Sequence, residues 1–205
     1  QDVFPRAIVQ LEDFANHNAF RLLERYQDRL PLFDDDIQGT GAVVLAGLFS
    51  AMEIVGGSLR DKRFLFLGAG EAGTGIANLI VEALGAEGLD EEEARRHCWF
   101  MDRHGLVVKS RTDLAAHKLP FAHDHEPIDD LLAAVEVLEP HGLIGASALP
   151  GAFTRQVLRL MADLNERPLV LALSNPTSKS ECTAREAYEW TDGRAVFASG
   201  SPFDP

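Results

Sequence analysis

The stretch Phe64-Leu65-Phe66-Leu67-Gly68-Ala69-Gly70-Glu71-Ala72-Gly73-Thr74-Gly75-Ile76-Ala77 constrains the fold more than any other. An apolar run ends at Gly68, and an apolar helical repeat has begun by Ile76. Gly68, Gly70 and Gly73 keep the spacing of a strand–turn–helix that receives a dinucleotide. Each glycine has its own task there. Gly68 permits a tight turn, Gly70 lets the backbone approach a pyrophosphate, and Gly73 lets the helix pack close to the strand. The backbone around Ala69, Glu71 and Ala72 then presents N–H groups at a helix start, where the helix dipole favours phosphate.

The remainder of the chain continues the pattern. Cys98 to Met101 reads as a strand that Asp102 terminates, and Ile128 to Leu138 as a helix. Leu143 to Gly145 is a short strand, and Phe153 to Leu164 a helix capped by Thr154. Leu169 to Leu173 is an apolar strand, Thr183 and Glu186 open a short helix as a capping box, and Ala195 to Ala198 is the last strand. This alternation from about residue 63 predicts an α/β fold: a Rossmann-like, doubly wound, mostly parallel sheet with helices on both faces. Residues 34–205 are expected to form this domain. Residues 1–33, a strand over Arg6–Leu11 and a helix ended by Pro31, read as a short segment of an adjoining domain.

In such sheets the carboxyl ends of the strands face the ligand. Asp102 stands where a ribose hydroxyl is bound, and the charged stretch Gly85–His97 explains its unusual distance from the glycines. Arg103, His104 and Lys118 are basic groups that could hold a 2′-phosphate, so both NAD and NADP remain open. Ala146 and Ser147 end the next strand, and Ser174 and Asn175 end the one after it.

Acidic residues gather upstream. Glu12 and Asp13 follow the first strand, and Asp34-Asp35-Asp36 precedes the apolar run Ala42–Val55, expected to be a buried helix. Glu12, Asp13 and Asp36 together would make an all-oxygen site for a hard divalent cation. Compensation of a helix dipole explains one or two of the aspartates equally well. His123-Asp124-His125 lies in a Pro-bounded polar loop without partner ligands, and reads as loop.

A formal net charge of -13 repels nucleic acid and anionic membrane, so neither is an expected partner, and an anionic cofactor must be held by local donors. The run Ala42–Met52 is too short to span a bilayer. Cys98 and Cys182 show neither a disulfide framework nor metal spacing, which points to a reducing, cytoplasmic setting.

Five stretches lie in order: Glu12-Asp13-Phe14-Ala15-Asn16-His17-Asn18, Asp35-Asp36-Ile37-Gln38-Gly39-Thr40, Gly68 to Gly73, Leu173-Ser174-Asn175-Pro176-Thr177, and Ala198-Ser199-Gly200-Ser201-Pro202-Phe203. Together they resemble malic enzyme over nearly the whole chain. The resemblance implies oxidative decarboxylation of malate to pyruvate and CO2, with NAD or NADP as hydride acceptor, bound Mg2+ or Mn2+, and a homo-oligomeric whole protein. It implies Glu12, Asp13 and Asp36 as metal ligands, Asp35 as an acid beside the catalytic centre, and Asn175 as a substrate-contacting amide. Asn16, Thr40, Arg103, Ala146, Ser147 and Ser174 fall to the cofactor, and Asp102 to the adenosine ribose. The family's general acid/base tyrosine and lysine lie upstream of Gln1, and Tyr26, Tyr188 and Lys62 do not match them. A later asparagine-bearing segment lies beyond Pro205. The chain therefore reads as an excised domain that carries cofactor and metal groups and does not turn malate over unaided. A malolactic enzyme, which makes lactate, and a non-catalytic dinucleotide-binding domain are the alternatives.

Overall fold

The computed structural model describes residues 4, 6–14 and 16–203, with Asn16 and His17 described by backbone only. The expected role of the Asn16 side chain thus lies outside the described residues. Strand β1 (Val9–Leu11) leads through helix α1 (Asn16–Tyr26) to strand β2 (Leu32–Asp34). The strands pair in parallel, with Leu11 opposite Asp34, as a two-stranded ladder separate from the main sheet. Sequence alone leaves β2 as loop, and the division expected between residues 33 and 34 falls inside it.

A π-helical turn, Asp35–Gly39, runs directly into helix α2 (Thr40–Val55). Helical backbone therefore continues over 21 residues, Asp35–Val55, long and apolar enough by length and composition to cross a membrane. The expectation of a buried α2 holds for one face only. Gly41, Val44, Leu48, Ala51 and Met52 face the core, whereas Val43 is 74% exposed and Ile54 51%. The run is apolar on every side, but among the described residues only one side has a partner, principally α3 (Glu71–Ala86).

Strand β3 (Phe64–Leu67) enters that helix through the glycine turn. Helix α4 (Glu91–Arg95) sits on the charged stretch, with Glu91 and Glu92 paired to Arg95 and Arg96 one turn on. Strands β4 (Cys98–Asp102) and β5 (Gly105–Leu106) form an antiparallel edge. Helix α5 (Leu131–Leu138), strand β6 (Gly142–Gly145), helix α6 (Arg155–Leu164), strand β7 (Leu169–Ala172), helix α7 (Ala184–Trp190) and strand β8 (Val196–Ser199) complete the chain. The expected caps are present: Thr154 Oγ1 accepts from Val157 N, and Thr183 and Glu186 close a reciprocal box. His123 stacks on Trp99 at 4.0 Å and holds the Cys98 carbonyl, so the His-Asp-His loop packs on β4.

The main sheet has the order β5-β4-β3-β6-β7-β8, parallel except for β5. Alternate residues of β3 feed two cores. Phe64 and Phe66 join Val44, Leu48, Ile76 and Ile80 on one face. Leu65 joins Val135, Leu143, Leu158 and Val170 on the other. Phe66 and Phe100 stack at 4.5 Å, both essentially buried. Connections leave β3 toward β4 on one side and reach β6 on the other. The crevice at the carboxyl ends of β3 and β6 is therefore the switch point where a doubly wound sheet takes its ligand.

Candidate functional site

The glycine turn has the close contacts its spacing predicts. Gly68 has φ +110°, and a Cβ there would lie 2.3 Å from the Ala146 carbonyl oxygen. A Cβ on Gly73 would lie 2.4 Å from the Gly68 carbonyl oxygen, so α3 rests on the turn itself. Helix α3 begins at Glu71 with Gly70 as a cap that offers no side chain. Its first N–H groups have no intrahelical partner and carry the positive end of the dipole.

Two cavities meet at this helix start, sharing Gly70 and Ala146. One, of about 570 Å³, is lined by Gly68, Ala69, Asp102, Arg103, His117, Lys118 and Ser147 among others. The second, of about 320 Å³, is lined by Asp36, Thr40, Glu71, Ala72, Ser174 and Asn175 among others.

In the first cavity Asp102 is already engaged. Arg111 donates to it in a fork, Nη1 to Oδ1 at 2.9 Å and Nη2 to Oδ2 at 3.2 Å. Lys118 Nζ donates to Oδ2 at 2.5 Å. Burial pushes the Asp102 carboxyl up, but the bonds from Arg111, Lys118 and the His104 backbone outweigh it and hold the group below its ordinary range. Arg111 also pairs with Asp113. With Arg103 exposed at the rim, cations outnumber acids at this end of the cleft. His117 Nε2 lies 3.0 Å from the Ala69 carbonyl, so that nitrogen donates, and its ring stacks on Phe20 of α1 at 5.0 Å. Burial lowers the His117 pKa and favours the neutral ring.

The acidic end is built from three chain segments. Glu12, Asp13 and Asp36 each offer a carboxylate oxygen within 4.8 Å of the others. Oxygens bound to one ion at about 2.0–2.4 Å have this spread, and the all-oxygen set suits a hard cation. The Asp13 backbone, at φ 58°, donates N–H to Asp36 Oδ2 at 2.8 Å. Asp34 is fully buried, with Oδ1 accepting from Ile37 N at 3.1 Å as the cap of the π-helical turn. Burial first, and then Asp36 and Asp35, raise its pKa against the backbone bonds. Glu71 is pushed up to about 7 by burial and by the charges of Asp36 and Asp34. Negative charge is thus concentrated where a cation would relieve it.

The family model for the malic enzyme NAD-binding domain matches residues 37–205. The chain belongs to the malic enzyme family. It is 57% identical over its full length to an NADP-dependent malic enzyme of Vitis vinifera, and 56% identical over 97% of its length to a chloroplastic NADP-dependent malic enzyme of Flaveria trinervia. It spans 35% and 31% of those two proteins. Among solved structures it superposes on the malic enzyme of Entamoeba histolytica with TM-score 0.77 and 26% identity, covering 97% of this chain and 40% of that one. The NAD-dependent malic enzyme of Thermotoga maritima gives TM-score 0.75 and 25% identity, covering 94% and 48%.

Within this malic enzyme domain, most residues singled out from sequence converge. Gly68, Ala69, Gly70, Asp102, Arg103, Ala146 and Ser147 line the first cavity, and Asp36, Thr40, Glu71, Ala72, Ser174 and Asn175 the second. Asp35 lines neither; its carboxyl lies over Gly39, where an added Cβ would meet Oδ1 at 2.1 Å. Sequence reasoning missed Arg111, His117 and Glu181. Arg111 and Glu181 come from loops and His117 from the short 3-10 helix Ala116–Phe121, and each acts on a site residue elsewhere in the sequence.

Proposed function

We propose that this chain supplies the dinucleotide and metal portion of an enzyme that oxidatively decarboxylates malate to pyruvate and CO2, with NADP as the preferred acceptor and Mg2+ or Mn2+ as the cation. The observation that carries this reading is the position of Asp36. It belongs to the three-carboxylate cluster and also lines the cavity at the start of α3. A cation held by Glu12, Asp13 and Asp36 would supply charge neutralisation to the oxygens of a hydroxy acid. A bound nicotinamide dinucleotide would supply the hydride acceptor.

The chain's own residues have four tasks in this reading. The α3 N–H groups hold the pyrophosphate. Asn175 and Thr40, at the second cavity, orient substrate and nicotinamide against each other. The carboxylates of Glu12, Asp13 and Asp36 set the local negative potential that draws in the cation. At the other end, Asp102 is neutralised by Arg111 and Lys118, so its charge no longer opposes a 2′-phosphate, and Arg103 and Lys118 can approach one. The NADP-dependent names of the plant relatives support that choice.

Because the chain spans 35% of its grape relative, turnover belongs to the larger protein. The test is malate-dependent NADPH formation by the protein that carries this chain, with and without Mn2+, beside calorimetric titration of residues 1–205 alone. The expected result is metal-dependent turnover by the former, and binding of NADP and Mn2+ without turnover by the latter. Dinucleotide binding with no metal site would overturn the reading.

A further inference from the structure

We propose that Glu181 is a positioning residue that locks the two strand ends forming the cleft wall. This rests on the reading of the cleft as a dinucleotide site. Glu181 is 0% exposed and lines neither cavity. Its Oε1 accepts from Ser147 N at 3.0 Å, from Ser147 Oγ at 3.0 Å and from Ser174 Oγ at 2.5 Å. Oε2 faces Ser174 N at 3.4 Å. Ser147, just past β6, lines the first cavity, and Ser174, just past β7, lines the second. One carboxyl therefore ties together the walls of both halves.

The tie reaches one residue further. Ser174 Oγ accepts from Ala148 N at 2.8 Å, and Ala148 stands at φ 55°, a conformation uncommon outside glycine and asparagine. The carboxyl also lies flat on β6: a Cβ on Gly145 would fall 2.4 Å from Glu181 Cδ. Glu181 forms no ion pair among the described residues, and its partners are serine and backbone donors. An apolar residue of similar size would fill the space but leave those donors unsatisfied. The loops would then relax into the cleft. Among the described residues, Glu181 shares no hydrogen bond with Glu12, Asp13 or Asp36, whose carboxylates are held from β1 and the turn before α2.

The test uses the protein that carries this chain, in wild-type form and as Glu181→Leu, Glu181→Gln and Ser174→Ala. NADP and Mn2+ are titrated separately by calorimetry, beside thermal unfolding. For Glu181→Leu, NADP binding should weaken about tenfold, the effect of one lost buried bond network, while Mn2+ affinity stays at the wild-type value. Glu181→Gln keeps an oxygen for the Oε1 partners and should restore most of the NADP affinity. Should Glu181→Leu fail to fold, Ser174→Ala removes the bond from Ser174 Oγ to Glu181 and the partner of Ala148 N, and should show the same one-sided loss. Folded variants that bind NADP like wild type, or that lose Mn2+ equally, overturn the positioning role. Wild-type protein that binds no dinucleotide overturns instead the reading of the cleft.

Discussion

The Asp13 backbone N–H donates to Asp36 Oδ2 at 2.8 Å, across 23 residues of chain. This bond fixes the end of β1 to the turn that opens α2, and it holds Asp13 and Asp36 beside each other. It also leaves mutual repulsion in place, since Glu12, Asp13 and Asp36 lie within 4.8 Å.

Asp36→Asn is therefore expected to weaken Mn2+ binding by at least roughly tenfold, because even outer-shell changes have that effect on metal sites. Stability without metal should hold or rise, since a charge leaves an acidic cluster. Calorimetry with Mn2+ and thermal unfolding in chelator check the two halves. Unchanged Mn2+ affinity would remove Asp36 from the ligand set.

Lys118→Ala should discriminate between cofactors. A charge-assisted bond to a phosphate contributes about 1.5–3 kcal/mol, so NADP affinity should fall roughly tenfold or more. NAD affinity should change far less, because NAD has no 2′-phosphate. Parallel titrations with the two dinucleotides give the ratio; equal losses would show that Lys118 only maintains the fold.

Two carboxyls should respond to pH in opposite directions. Asp102 is held below its ordinary pKa of 3.8. Its stabilisation is complete above that value and disappears as pH falls through the lower folded-state value. Asp102→Asn should thus remove a source of acid sensitivity while lowering stability near neutrality. Glu71 is raised from 4.5 to about 7. Its folded form retains the proton, so stability is fullest below about pH 4.5 and declines as pH rises through about 7. In chelator, Glu71→Gln should remove that decline. Urea unfolding across pH, variant against wild type, reads both slopes.

Gly68→Ala should destabilise the domain by at least about 2 kcal/mol, because a left-handed φ and a backbone clash act together. The clash is with the Ala146 carbonyl, 2.3 Å from the added carbon. Denaturant midpoints measure it, and a neutral result would mean that the turn can reshape.

The sheet was legible because β3, β6 and β7 are apolar runs buried on both faces, and each ends at a glycine or small polar residue. Strand β2 escaped because it is only three residues long, ends in an acid and is defined by non-local pairing with β1. The metal acids were legible from residue type and the strand-end position of Glu12 and Asp13. Arg111 and Glu181 were not. They lie nine and 34 residues from Asp102 and Ser147, and no local pattern marks a side chain whose partner is supplied by another loop. The burial of α2 was overestimated because composition reports what a helix can bury, not which side finds a neighbour. Val43, Phe49 and Ile54 remain substantially exposed.

Gly70 and Ala146 border both cavities, so the partition between them is made of a glycine and an alanine rather than bulky side chains. An elongated guest can lie across that low divide, with its charged middle at the head of α3 and one end in each chamber.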